Sequence, residues 1–318
     1  MAPLAVAVVL LAALGSLFVG VADLSPGRLF GPHADRDAML LLLASRLPRT
    51  LALLLCGSSM AVAGAIMQML SRNRFVEPST AGTVESAALG MLAAILLVPA
   101  APVVVKMLVA AAFALAGTAL FLGLLRHIAI RRAALVPLVG LTLGGVVSAL
   151  TTFLAYRFDL LQSLSTWAVG DFSTVLRGRY ELLWMAGGLA TAAYLAADRF
   201  TLAGLGPDAT TSLGLDHRRV MALGLVVVAL VSALVVTTVG SVPFLGLIVP
   251  NVVSLALGDN MRRSLPYMAL LGGGLLLLCD IVGRVLIYPY EIPVGAVMGC
   301  VGSGLFLYLL LRRPARAG

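Results

Sequence analysis

Long runs of apolar residues, separated by short polar turns, cover this chain from end to end. A helix needs about 20 apolar residues to cross the hydrocarbon core of a bilayer, and most of these runs have that length. The pattern therefore predicts an all-α polytopic membrane protein whose helices form a compact bundle. We place ten spans at residues 3–22, 50–70, 81–98, 103–125, 133–155, 181–197, 219–239, 243–257, 267–287 and 293–311.

The turns between the spans leave no room for a soluble domain, so residues 1–318 are predicted to form one transmembrane domain. The longest polar stretch, residues 198–219, is predicted to be a cytoplasmic loop with a short helix around Asp208–Leu213. The second to fifth spans and the seventh to tenth spans flank the sixth, and the two groups would run in opposite directions. That count is expected of an inverted repeat.

Basic residues indicate the orientation of the chain. If the N-terminus is cytoplasmic, thirteen of the 22 Lys and Arg residues lie on the cytoplasmic side. Membrane proteins keep an excess of these residues in cytoplasmic loops, so both termini are predicted to be cytoplasmic. The C-terminal RRPARAG is the clearest signal. With 61% hydrophobic and 11% charged residues, the net charge of +8 fits a lipid surface. No basic stripe with aromatic residues is present, so no nucleic-acid partner is expected.

Motifs for chemistry are missing from the sequence. The chain has one lysine, Lys106, and no GxxxxGK[ST] pattern, so it is not itself a P-loop ATPase. Its three cysteines and three histidines have no metal-binding spacing. We therefore expect no catalytic residue, no metal site and no cofactor bound by this chain.

Two groups of charged residues lie in or beside apolar runs. Asp280 and Arg284 are one helical turn apart on the ninth span, in the favourable order for an i,i+4 pair. They form either a self-neutralising pair or a pair in which Arg284 also meets an external acid. Arg46 and Arg49 flank Pro48 at the expected start of the second span. They either anchor the helix at the headgroups or present forked donors to carboxylates on a docking protein.

Further polar candidates lie deeper along the chain. Asn73 and Phe75, in the turn after the second span, form either a plain turn or a constriction that closes a pathway, since polar backbone at this depth must be surrounded by protein or a water-filled cavity. Glu85 is the ionisable residue that an ion-coupled secondary transporter would need, which makes that class an alternative. Threonines on the fifth span either line a path or hydrogen-bond between helices. They are Thr142, Thr151 and Thr152.

Five motifs in a fixed order resemble one family of permeases. They are RLPRT at 46–50, G-x-x-x-Q…RN from 64 to 73, LGLD at 213–216, PFLGLIVPN at 243–251 and EIPVG at 291–295. This order is similar to that of the permease subunits of bacterial ABC importers for iron-siderophores, haem and cobalamin, over roughly residues 46 to 313.

The resemblance implies an assembly in the cytoplasmic (inner) membrane. Two permease subunits, each of ten helices, would surround a central path. Two cytoplasmic P-loop ATPase subunits would bind the ATP and Mg, so the permease is not itself an enzyme. A periplasmic or lipid-anchored binding protein would deliver the substrate.

The resemblance also implies roles for individual residues. Arg46, Arg49 and Arg284 correspond to the family's arginines that meet glutamates on the binding protein. Asn73 and Phe75 correspond to the cytoplasmic gate. The helix that docks on the ATPase corresponds to residues 205–215. Its members named here are Leu205, Gly206, Asp208, Ala209, Leu213, Gly214 and Leu215.

Finer features of the sequence point to one branch of that family. Many members read VPH followed by an arginine, whereas this chain has Asn251 and Ser254 in VPNVVS. The segment NRFVEPSTAGTVES looks most like the branch that serves catecholate or mixed catechol siderophores, so a ferric siderophore of catecholate type is the favoured substrate. Haem or cobalamin is the alternative within the family. Members of that branch usually pair with a distinct second permease chain, so a heterodimer is favoured over a homodimer.

Overall fold

The structure, a computed structural model, describes residues 2–20, 36–125 and 135–312. The ends of two predicted spans, residues 21–22 and 133–134, and the basic tail after residue 312 lie outside these ranges. The described residues form helices and turns without a β-strand. The helices are α1 (Ala2–Phe18), α2 (Arg36–Ser71), α3 (Thr83–Leu97), α4 (Val103–Leu125), α5 (Leu135–Arg157), α6 (Leu161–Ala168), α7 (Leu182–Leu195), α8 (Ala197–Gly204), α9 (Pro207–Ser212), α10 (His217–Val239), α11 (Leu245–Leu257), α12 (Met261–Val285) and α13 (Val294–Arg312).

Ten of these helices coincide with the ten predicted spans. Five of them, α2, α4, α5, α10 and α12, are long and apolar enough to cross a membrane. The shorter apolar helices α1, α3, α7, α11 and α13 account for the other five spans. The three remaining helices, α6, α8 and α9, are short and lie in the connections. The all-helical fold with ten apolar helices is therefore confirmed.

The second span is longer than predicted. Helix α2 begins at Arg36 rather than near residue 50, and it passes through a π-helical turn at Leu42–Arg46. The sequence places Pro48 at a helix start, because proline lacks the N–H that the helix interior requires. In the structure a π turn, a single-turn bulge within an α-helix, changes the hydrogen-bond register just before this proline. Arg46 and Arg49 consequently lie within a continuous helix, not at its mouth.

The contacts between helices repeat with the order expected of an inverted repeat. Helix α2 packs on α10, α11 and α12, whereas α10 packs on α2, α3 and α4. Helices α3, α4 and α5 contact one another, and α11, α12 and α13 do the same. Exchanging α2–α5 for α10–α13 therefore leaves the contact pattern unchanged. Helix α7, which lies between the two groups in the chain, contacts both α2 and α10.

Glycines permit the closest helix contacts in the bundle. A Cβ atom on Gly57 of α2 would lie 2.4 Å from the backbone oxygen of Gly272 on α12. A Cβ on Gly64 would lie 2.1 Å from the backbone oxygen of Gly246 on α11. Small residues of this kind let helix backbones approach closely where lipid gives no hydrophobic driving force between helices. Helix α2 is therefore held against α11 and α12 by backbone contact.

Replacing Gly64 with alanine should lower the thermal stability of the purified protein in detergent. The new methyl group would meet backbone that cannot move aside, and overpacking of this kind costs about 1–3 kcal/mol. Gly188→Ala on α7 is the matched control, because nothing lies within 4 Å of its Cβ position. Thermal unfolding of both variants measures the difference. An unfolding temperature for Gly64→Ala equal to that of the control would contradict the close contact.

Candidate functional site

The polar residues of the bundle gather at its two ends. We call the end that holds Arg46, Arg49 and Arg284 the arginine end. We call the other end, where α2 reaches the turn at residues 72–82, the hairpin end. Helix α2 runs from the first to the second, so it connects both groups.

A buried carboxylate organises the arginine end. Asp280 of α12 is 1% exposed. Its Oδ1 atom accepts hydrogen bonds from Nη2 of Arg49 at 2.7 Å and from Nε at 3.1 Å. Its Oδ2 atom lies 2.5 Å from Nη2 of Arg284, one helical turn away. The predicted i,i+4 pair is thus confirmed, and the same aspartate also joins α12 to α2. Buried ions are stable only when paired in this way.

Helix α1 completes this cluster. The Nη1 atom of Arg284 donates to the backbone oxygens of Ser16, at 3.0 Å, and Val19, at 2.7 Å. Arg46 also donates to the backbone oxygen of Val19. These carbonyls lie at the C-terminal end of α1, where helix carbonyls have no partners within the helix. The arginines therefore cap α1 and hold it against α2 and α12.

One further acid links the cluster to the surface. Glu291, in the turn before α13, accepts a hydrogen bond from Nη1 of Arg49 at 2.7 Å, and its side chain is 27% exposed. Arg46, Arg49 and Arg284 are themselves only 7%, 8% and 3% exposed. The structure thus brings together all three predicted docking arginines and surrounds them with groups of the same chain. Their contact with a binding protein stays a prediction.

At the hairpin end, Asn73 shapes the turn after α2. Its side-chain Oδ1 accepts from the backbone N–H of Phe75 at 2.8 Å, and its own backbone N–H donates to Gln68 at 3.0 Å. Short asparagine side chains commonly stabilise turns by such local hydrogen bonds. Asn73 is 6% exposed, whereas its neighbours Arg72 and Arg74 are exposed. The turn is followed by α3, whose N-terminus begins at Thr83.

An aromatic cluster surrounds Phe75. Its ring packs edge-on against Phe306 of α13, with 6.0 Å between the ring centroids. The ring of Phe244, just before α11, has its centroid 6.5 Å from that of the Phe306 ring. The predicted gate residue thus contacts Phe306, which in turn packs on Phe244. The sequence did not single out Phe244 or Phe306, because aromatic residues in apolar runs carry no signal of their own.

Glu77 is an important polar residue that the sequence interpretation missed. It is 1% exposed, and its Oε1 accepts from the backbone N–H of Phe244 at 2.9 Å and from the Ser79 hydroxyl at 2.5 Å. It thereby places a carboxylate at the N-terminus of α11, where the helix dipole favours negative charge. Burial raises the pKa of Glu77 to about 6, while hydrogen bonds from Ser79 and from backbone amides at the start of α11 act to lower it. One of only 14 acids in the chain, placed before a proline between two spans, was the available signal.

Two amides join the same elements. The Nε2 atom of Gln68 lies 3.3 Å from the backbone oxygens of both Gly246 and Leu247. The Nδ2 atom of Asn251 donates to the backbone oxygen of Arg74 at 2.7 Å. Each element therefore contributes one side-chain amide that bonds to the backbone of the other: the end of α2 to the start of α11, and α11 to the turn after α2. Asn251, from the VPNVVS segment, therefore links α11 to the turn after α2.

The predicted coupling segment forms the short helix α9. Gly206 and Gly214, with φ angles of 109° and 78°, adopt the left-handed conformations that bound it. Buried Thr210 anchors it to α8 by donating from Oγ1 to the backbone oxygen of Leu202 at 3.1 Å. Leu205 and Leu213 on either side are 61% and 59% exposed. Two exposed leucines beside an anchored helix offer an apolar contact surface.

This segment also rests on the end of α2. A Cβ atom on Gly204 would lie 2.8 Å from the Met69 sulfur, and one on Gly206 would lie 3.3 Å from the Arg72 guanidinium. Arg72 is the residue at which α2 ends, in a left-handed conformation with φ 50°. The coupling segment therefore contacts the residues that lead directly into the turn with Asn73.

The threonines of α5 do not hydrogen-bond to other helices in the described structure. The hydroxyls of Thr142, Thr151 and Thr152 donate to the carbonyls of Leu138, Val147 and Ser148, each four residues back in α5. Hydrogen bonds between helices are therefore not formed by these hydroxyls within this chain, because the i−4 carbonyl lies within reach of every such hydroxyl in a helix. Thr151 and Thr152 line a cavity, which leaves the other alternative, a path, as a prediction. Within the described ranges, His, Cys, Asp and Glu form no cluster that would hold a metal.

Asp280→Asn should strongly destabilise the protein, because three buried guanidiniums would then share one partly exposed carboxylate. Removing one partner of a buried ion pair costs about 3–5 kcal/mol. The double variant Asp280→Asn/Arg284→Gln should recover part of this loss, which a double-mutant cycle of unfolding free energies measures. Asp259→Asn is the control, because its pair with Arg74 is about half exposed and such pairs contribute little. Equal effects at residues 280 and 259 would contradict a buried network.

Comparison with known proteins agrees with this geometry. The sequence profile of the FecCD transport family matches residues 7–312. The petrobactin import system permease protein YclN of Bacillus subtilis (strain 168) is 50% identical over 305 residues, which are 96% of each chain. The ferric-anguibactin transport system permease protein FatD of Vibrio anguillarum is 41% identical over 93% of this chain and 94% of its own.

A solved structure supports the same assignment. It is described as an inward-facing conformation of a metal-chelate type ABC transporter, and it superposes with a TM-score of 0.81 at 25% sequence identity. The superposition covers 97% of this chain and 98% of that one. The ten-helix fold, the order of the motifs and these matches agree, and the chain belongs to the FecCD transport family.

Proposed function

We propose that this chain is a permease subunit of an ATP-driven importer that moves a ferric siderophore from a binding protein into the cytoplasm. The observation that carries the proposal is the 50% identity, over 96% of both chains, to a petrobactin import permease. A ferric-anguibactin permease at 41% identity points to the same class of substrate. A catecholate siderophore is the favoured type, and haem or cobalamin is the alternative within the family.

The ATPase subunits would act on the permease through α9. Two P-loop ATPase subunits would each receive one α9 segment, with exposed Leu205 and Leu213 as the apolar contacts. Because this segment rests on Met69 and Arg72, its displacement would move the end of α2. That end carries the turn with Phe75. ATP hydrolysis in the partner is thereby connected to the proposed gate by direct packing.

The substrate path would lie between two permease subunits, against α5. Only 22% of its apolar window is buried within this chain, and its exposed face carries Thr142, Ser148 and Thr152. Hydroxyls are better matched to a protein contact or an aqueous path than to lipid tails. A second permease chain, favoured to be a different one, would cover this face. Thr142, Thr151 and Thr152 are then candidate lining residues.

The binding protein would dock at the arginine end. Arg49 already holds one partly exposed carboxylate, that of Glu291, at 2.7 Å. An incoming glutamate of the binding protein would compete with Glu291 for this guanidinium. Arg46 and Arg284 lie beside it and would add positive charge to the contact. Exchange of one carboxylate for another would open the cluster without leaving a buried charge unpaired.

Uptake in proteoliposomes tests the function. We expect the complete complex to accumulate a ferric catecholate siderophore only with ATP, its ATPase and its loaded binding protein. Leu213→Asp should reduce this uptake at least about tenfold, because it places a charge in an apolar contact. Leu213→Met keeps the contact apolar and should transport normally. Uptake without the ATPase, or uptake driven by an ion gradient alone, would contradict the proposal.

The docking site has its own test. Glu291→Gln removes the competing charge from Arg49, so the binding protein should bind the complex about two- to fivefold more tightly, the scale of one partly exposed ion pair. Equilibrium binding to the complex in nanodiscs measures the change. Glu181→Gln, a substitution of an exposed acid away from the cluster, serves as the control. Unchanged or weaker binding by Glu291→Gln would argue against a carboxylate exchange at Arg49.

A further inference from the structure

A cavity of about 350 Å³ lies where α3, α5 and α6 meet. Leucines of α6 and valines from α3 and α10 form its apolar walls. The polar lining residues are Glu85, Ser148, Thr151, Thr152 and Ser241. Glu85 belongs to the first turn of α3, and none of the contacts described above at the two ends of the bundle involves it.

The carboxylate of Glu85 is incompletely paired in the described structure. Its Oε2 atom is buried and has no hydrogen-bond partner. Gly144 of α5 lies alongside, since a Cβ atom there would be 3.5 Å from this oxygen. The terminal torsion of glutamate is broad, so a small rotation turns the carboxylate towards the cavity. Glu85 is partly exposed and lines the cavity, so a ligand bound there would supply the partner that this oxygen lacks.

The cavity offers acceptors to such a ligand. Thr151 and Thr152 donate their hydroxyl protons to carbonyls of α5, at 2.7 Å and 2.9 Å. Their oxygens therefore have no proton left to donate and interact with a ligand as acceptors. None of the lining residues that the structure describes is Lys, Arg or His. A negative group and hydroxyl oxygens among apolar walls match a positively charged donor on an alkyl chain.

We propose that this cavity binds a protonated alkylamine group of the transported solute, with the Glu85 carboxylate as its counter-ion. Glu85 is then a specificity-determining residue of the path. A volume of about 350 Å³ is at the lower end for small-molecule sites, so the cavity holds one arm of a chelate rather than the whole. That the solute is a transported chelate rests on the proposed function; binding of the amine does not.

Direct binding tests the cavity separately from transport. Butylammonium and uncharged butanol are the probes, measured by saturation-transfer NMR on the purified complex. We expect saturable binding of butylammonium only, weakened about tenfold by Glu85→Gln, the scale of one charge-assisted hydrogen bond. Asp159→Asn is the control, because this exposed acid has a φ of 57°, which asparagine also adopts. Equal binding of the two probes, or binding unchanged in Glu85→Gln, overturns the inference.

Transport selectivity tests the role in the path. A catecholate chelator with one free amine arm and the same chelator with that arm acetylated are loaded with radiolabelled iron. After correction for the affinity of the binding protein, wild type should prefer the amine form, and Glu85→Gln should lose about tenfold of this preference. An equal loss for both forms would show a structural role and overturn the inference. If Glu85→Gln fails to assemble, Thr151→Val is measured instead, and its uptake of the amine form relative to the acetylated form decides the question. Failure of wild type to transport either form would count against the proposed function, whereas the NMR result would still decide on the cavity.

Discussion

The backbone contact of α2 with α11 and α12 is the constraint on which the rest of the structure depends. Gly57 and Gly64 allow this approach, because any side chain there would collide with the backbone of Gly272 or Gly246. At one end of α2 the contact brings Arg49 to Asp280. At the other end it brings Gln68 to the start of α11. A single close packing therefore assembles both groups of polar residues.

Two buried acids of this largely apolar chain are each stabilised by a partner from a distant segment. Asp280 pairs with arginines from α2 and α12, and Glu77 meets the N-terminus of α11. Water is not available in hydrocarbon to satisfy such groups, so the cost of separating them is high. These contacts consequently fix how the helices are arranged. Each of the three acids keeps one buried oxygen without a hydrogen-bond partner in the described structure, and Glu85 differs in that it does not take part in the contacts that join these helices.

The contact between α9 and the end of α2 gives a physical route from an ATPase partner to the proposed gate. Gly204 and Gly206 lie against Met69 and Arg72, and α2 ends at that arginine. The turn that follows is tied to α11 by Glu77 and packs on Phe306 through Phe75. Movement of α9 would therefore reach elements of both repeats. No flexible segment needs to transmit it.

The sequence by itself determined the membrane class, the ten apolar helices, the short helix α9 and the i,i+4 pair of Asp280 with Arg284. These features depend on local hydropathy, on glycine and on helical spacing, all of which can be read along one segment. Only the tertiary structure decided that α2 continues through Pro48, that Arg49 shares Asp280 with Arg284, and that Glu77 meets Phe244. The physical reason is that each of these contacts joins residues far apart in the chain, or depends on a π turn that hydropathy does not reveal. Helix packing decides which partners the buried charges meet, and local sequence patterns do not show how distant helices pack.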